Sequence, residues 1–122
     1  MSNTAYDWAR GRDGNNIFTA GVIEIGAAGV VSGVVGGDFT ASLATNTYTI
    51  TVDNRFPPPK QAFLQFAQAT GFTVVTGLVV TDVTGQTVTF EAIAEGSGAV
   101  APLTSGDKVY VLINCPEILV GN

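Results

Sequence analysis

The sequence predicts an all-β chain: an antiparallel β-sandwich, jelly-roll-like, with an extended N-terminal arm. Three observations carry that expectation. Apolar and polar residues alternate at Thr47–Val52 and again at Gln86–Glu91, the period of two that turns one strand face inward and the other outward. Glycine, proline and aspartate turn signals recur about every ten residues, the rhythm of a sandwich. No stretch supports a helix longer than about two turns.

A chain of 122 residues suits one domain and is too short for two comfortable ones. Charged residues are 12% of it and hydrophobic residues 46%, against about 25% charged in ordinary soluble domains. That balance excludes a disordered chain, which needs low hydrophobicity and high charge. Ten acids against five bases leave a net charge of −5. Five scattered bases cannot neutralise a run of phosphates, so nucleic acid is not an expected partner. There is no histidine and one cysteine, Cys115, which excludes disulfides within the chain, zinc-finger spacings, and Ser-His-Asp or Cys-His catalysis.

The elements follow in order. Met1–Asn16 is polar and turn-rich and lacks the charged start and apolar core of a signal peptide. A free arm, or a frayed terminus, is the simplest reading. Its Tyr6, Trp8, Arg10 and Arg12 also fit a docking peptide, since Trp, Tyr and Arg dominate binding energies. Ile17–Gly37 carries a single charge, Glu24. Its charge-free part, Ile25–Gly37, is shorter than the roughly 20 residues of a membrane span, and its glycines disfavour a helix. The pairs Val30-Val31 and Val34-Val35 between glycines read as short strands with tight turns, and the GxxxG spacings as coincidence.

At Thr47–Val52, Tyr48, Ile50 and Val52 face one way and three threonines the other. Asp53-Asn54-Arg55 ends that strand, and Pro57-Pro58-Pro59 forms a stiff connector. Gln61–Gln68 reads as a strand with Ala62, Leu64 and Phe66 on one face and Phe63 on the other; a helical turn is the alternative. Phe72–Thr81 is a Val/Thr-rich strand in which Gly77 marks a bulge or a bend. Asp82-Val83-Thr84-Gly85 is expected to be a turn joining it to Gln86–Glu91 in a hairpin. Gly96-Ser97-Gly98 and Pro102 mark a loop. Lys108–Asn114 is nearly continuous hydrophobe, predicted to be central and covered on both faces. The count comes to seven or eight strands in one domain over residues 17–122.

Candidate chemistry is sparse. Half of the ten acids sit at turns (Asp13, Asp38, Asp53, Asp82, Asp107), where aspartate caps local backbone, and no acid pair lies in a recognisable catalytic frame. No DxDxDG run offers calcium a loop, and no GK[ST] offers a phosphate one. Cys115 reads as a small buried hydrophobe. No cofactor, metal or catalytic residue is assigned, and the chain is read as not an enzyme. A domain of this size buries only about two thirds of the surface of its unfolded chain. So few charges over the remainder favour cover by other subunits or a large partner, since interface cores are charge-depleted.

Thr104-Ser105-Gly106-Asp107-Lys108-Val109-Tyr110-Val111 resembles the closing strand of compact trimeric jelly rolls of the complement- and tumour-necrosis-factor-like kind. Gly106-Asp107 makes the turn and the alternating apolar residues enter the core. The whole arrangement of polar arm, Gly/Ala/Val-rich segment, TYTITVDNRFPPP and Thr-rich sandwich resembles small virion proteins of tailed bacteriophages: capsid decoration (cement) proteins, head fibres and fibre-tip domains. The resemblance implies a homotrimer in the virion, assembled in the host cytoplasm, binding the major capsid protein or another virion protein, with no membrane partner and no catalysis. The competing expectation is a carbohydrate-binding or receptor-binding fibre-tip module using Trp8, Tyr48, Tyr110, Asn46 and Asn54.

Overall fold

The computed structural model describes residues 10–11, 14–67, 75–94 and 98–117. Ten strands run through them: β1 (Arg10–Gly11), β2 (Gly14–Ile25), β3 (Val31–Gly36), β4 (Phe39–Ala44), β5 (Thr47–Val52), β6 (Gln61–Ala67), β7 (Val75–Thr84), β8 (Thr87–Ala94), β9 (Val100–Ala101) and β10 (Lys108–Glu117). They form two five-stranded antiparallel sheets. In the first, β10 lies between β2 and β6, and the far side of β2 pairs with β1 near its start and β3 near its end. In the second the order is β4-β5-β8-β7, with β9 beside the end of β8. The predicted all-β class and sandwich hold.

The winding differs from a jelly roll, in which nearly every connection changes sheet. Here the hairpins β2–β3, β4–β5 and β7–β8 each stay inside one sheet, while β6 and β10 return singly to the first. The cause is local. Two-residue turns at Thr45-Asn46 and Gly85-Gln86 pair sequence neighbours directly, with Gly85 at φ +57°. The crossing from β3 to β4 uses Gly36 and Gly37, both at positive φ, and the Asp38 amide donates to Thr19 Oγ1 at 2.8 Å.

Strand parity builds one core between the sheets. The first sheet sends in Ile23, Ile25, Val109, Val111, Ile113 and Cys115; the second sends in Phe39, Tyr48, Ile50, Val52, Val88, Phe90 and Ala92. Tyr48 and Phe90 stack at 5.1 Å between ring centres. Burying each large side chain of this kind stabilises the fold by about 1.5–3 kcal/mol. Cys115 is a free, fully buried thiol, and burial pushes its pKa up.

Several expectations change in detail. The N-terminal segment is not wholly outside the sheets: β2 begins at Gly14, and Arg10 pairs with Asn15. Within Ile17–Gly37 the chain makes the end of one long strand, a 3-10 turn at Ala27–Gly29 and then β3. Asp82, Val83 and Thr84 belong to β7, because the Thr84–Thr87 pair extends the ladder to a two-residue turn. The ladder slips between Val75 and Gly77, where a bulge or a bend was expected, and again between Val80 and Asp82.

Candidate docking surface

The largest departure concerns β10. It is central, as expected, yet it is covered on one face only. Two layers give every strand one inner and one outer face, so a run of hydrophobes in β10 leaves alternate members outside. Tyr110 is 45% and Leu112 39% exposed. Register places their neighbours: Tyr110 lies between Gln65 and Val22, and Leu112 between Phe63 and Ala20. Phe63 is 54% and Phe18 45% exposed, and Val35 on β3 extends the row of Tyr110 and Val22. The outer face of the first sheet is therefore a contiguous apolar surface. It holds a shallow depression of about 640 Å³ with Ala20 and Gly21 in its lining and Phe63, Tyr110 and Leu112 around them.

The outer face of the second sheet is dressed differently. Thr40, Thr51 and Thr87 form one cross-strand row, and Ser42, Thr49 and Thr89 the next. Thr81 and Thr89 share a hydrogen bond at 2.8 Å, and Thr47 donates to Glu91 at 3.2 Å. Cross-strand hydroxyl pairs of this kind stabilise the sheet and leave a polar surface between the strands. The two faces of one sandwich thus differ in what each can meet.

A second depression, of about 520 Å³, opens at the edge of the second sheet among Asp38, Thr40, Asp53, Asn54 and Gln86. Arg55 lies 3.0 Å from Asp53 and 3.5 Å from Asp38. The Arg55 hydrogen bond holds the Asp53 carboxyl below its usual pKa. Gln86 Nε2 lies 3.2–3.3 Å from the carbonyls of Val52, Asp53 and Phe56. These contacts tie down the turn before the prolines. No group of three side chains able to hold a metal occurs among the described residues.

The residues singled out from the sequence are dispersed. Tyr6, Trp8 and Arg12 lie outside the described residues, and Arg10 sits on β1 at the sheet edge. Tyr48 cannot present its ring to a sugar, because it is fully buried against Phe90; its inward parity sets that. Asn46 and Asn54 lie beyond opposite ends of β5, and Tyr110 stands on the other sheet. Phe18, Ala20, Val22 and Phe63 are the surface residues that sequence reading did not assemble. Their signal was present in the alternation of Phe63 against Ala62 and Leu64, but only the β2–β10–β6 register brings them together. Against protein-family models, curated proteins and solved structures alike, the chain has no match.

Proposed function

We propose that this chain is a non-enzymatic structural protein of a tailed-bacteriophage virion, of the capsid decoration or cement type, which self-associates and stabilises the head. The observation that supports it is the apolar outer face of the first sheet in a chain with only 12% charged residues. Exposed apolar surface of this extent belongs to contacts between proteins. Shielding it by neighbours, repeated by symmetry over a shell, gives avidity without a deep pocket. Tyr6, Trp8, Arg10 and Arg12 supply the attachment to the major capsid protein or another virion protein.

Co-sedimentation with phage heads stripped of decoration tests the reading. The full chain is expected to pellet with heads and to raise their melting temperature. Replacing Tyr6 and Trp8 together by alanine should weaken attachment by at least about tenfold, the loss typical of aromatic anchors, with the chain's own melting unchanged. Absence of binding to any head, joined to a reproducible hit on a glycan array, would replace this reading by a carbohydrate-binding fibre-tip module.

A further inference from the structure

We propose that a second copy of this chain covers the outer face of the first sheet, related by a two-fold axis that runs parallel to the strands between β2 and β10. The inference rests on the reading of the chain as self-associating and adds the interface and its symmetry.

Charge points to the occupant. At a net charge of −5 two copies repel each other over most approaches. On this face the strands' described residues carry two charges of opposite sign, Glu24 and Lys108, which are register partners on β2 and β10. The Glu24 carboxylate reaches over β3, where a Cβ on Gly33 would lie 3.6 Å from its Oε1. In a two-fold interface, if residue i meets residue j then j meets i. An axis along the strands keeps every cross-strand row and exchanges β10 with β2. Lys108 then faces Glu24 of the second copy, and Glu24 faces Lys108 of the second copy.

Size gives the same answer. In the rows of Leu112 and Tyr110 the β6–β10 half carries Phe63, Leu112 and Tyr110 while β2 carries only Ala20 and Val22; of the large residues on the β2–β3 half, the axis sets Val35 against Gln65 and Phe18, in the next row, against Asn114. The proposed axis lays Leu112 on Ala20, Tyr110 on Val22 and Phe63 over the Gly36 end of the opposing β3. Large side chains enter the places where small ones leave room, twice per dimer. A two-fold axis across the strands would instead set Tyr110 against Leu112, Lys108 against Asn114 and Glu24 against Phe18.

Sedimentation velocity on the full chain, with Lys108→Glu and Glu24→Lys variants, is the test. The wild-type chain is expected to pass from monomer to dimer somewhere between about 1 and 100 μM, the weak end for an interface of modest size. Each single variant places like charges across the axis twice and should raise the dissociation constant at least about tenfold. An equimolar mixture sets the two acids of one variant against the two bases of the other. Every charged contact between chains is then again between opposite signs, so the dimer should return. The mixing arm reads contact between chains, because each variant keeps its own cross-strand like-charge pair. Should either charge variant fail to melt cooperatively, Phe63→Ser, at an exposed position, takes its place with the same expected weakening. Dimerisation unaffected by these changes, or a mixture that stays monomeric while both variants are folded, overturns the proposal. A three-chain species overturns the two-fold axis and leaves self-association standing. A wild-type chain monomeric at 100 μM overturns both.

Discussion

Replacing Tyr48 by phenylalanine is expected to destabilise the fold by about 2–4 kcal/mol, although the ring and its stacking on Phe90 remain. The hydroxyl donates to the Gly29 carbonyl at 2.6 Å and accepts from the Leu103 amide at 2.9 Å. Gly29 and Leu103 are both buried. Without the hydroxyl each backbone group is stranded, at about 1–3 kcal/mol apiece. In a domain whose whole stability is about 5–15 kcal/mol, that is a large share. Tyr48→Ala loses the ring as well and should not fold at 37 °C, given about 3–5 kcal/mol for a large aromatic cavity. Guanidinium midpoints at constant slope measure the effect; a loss in Tyr48→Phe under about 0.5 kcal/mol would show that the hydroxyl does not bridge these two backbone groups.

The same hydroxyl sets an alkaline limit. Burial raises the Tyr48 pKa above 10.0, with Asp107 adding to the rise and the Leu103 hydrogen bond opposing it. The native chain therefore keeps a proton that the unfolded chain releases near pH 10. The stability tied to that proton is complete below the unfolded value and is lost as pH rises through the folded one. Wild type should lose stability above about pH 10, and Tyr48→Phe should show a shallower decline.

Gly29→Ala is expected to cost more than about 3 kcal/mol. Gly29 sits at φ +81°, and a Cβ there would lie 2.7 Å from both the Leu103 carbonyl oxygen and Pro102 Cβ. The left-handed conformation alone costs an L-residue about 1–2 kcal/mol, and a backbone oxygen cannot swing aside as a side chain can. Two other glycines calibrate the measurement. Gly85 has φ +57° and open space, so alanine there should cost only the conformational part; Gly77 has open space and no positive φ, so alanine there should be nearly neutral. Melting temperatures in the order Gly77→Ala, Gly85→Ala, Gly29→Ala, highest to lowest, are the expected result. Equal losses at all three would contradict it.

Both effects meet at one place, where the 3-10 turn and the loop before β10 are pinned to a core tyrosine. The sequence made the parity of Tyr48 legible, because Thr-Tyr-Thr-Ile-Thr-Val alternates without interruption. It did not reveal that the hydroxyl would reach Gly29 and Leu103, which are 19 and 55 residues away. Gly106-Asp107 was legible as a turn: Gly106 has φ +92°, and Asp107 accepts from the Thr104 amide at 2.9 Å. Gln86 looked like the first residue of a strand and instead reaches three carbonyls before the prolines. The docking face shows the same division. Phe63 and Tyr110 could each be assigned a side from local alternation, but their meeting with Phe18, Ala20 and Val22 depends on a register between strands more than 40 positions apart in the chain. The hydrophobic run in β10 misled for a related reason. Buried strands of parallel sheets need apolar residues on both faces, whereas in this two-layer fold alternate apolar residues of β10, Tyr110 and Leu112, lie on an outer, exposed face.

Hydroxyl-radical footprinting at rising protein concentration tests that outer apolar face most directly. Phe63, Tyr110 and Leu112 should lose reactivity as concentration rises through the association range, while Val79 and Val80, exposed on the second sheet, keep theirs. Reactivity at Phe63, Tyr110 and Leu112 that stays level with Val79 and Val80 at every concentration would mean that the first sheet's outer face is left bare, and would contradict its cover by a second copy.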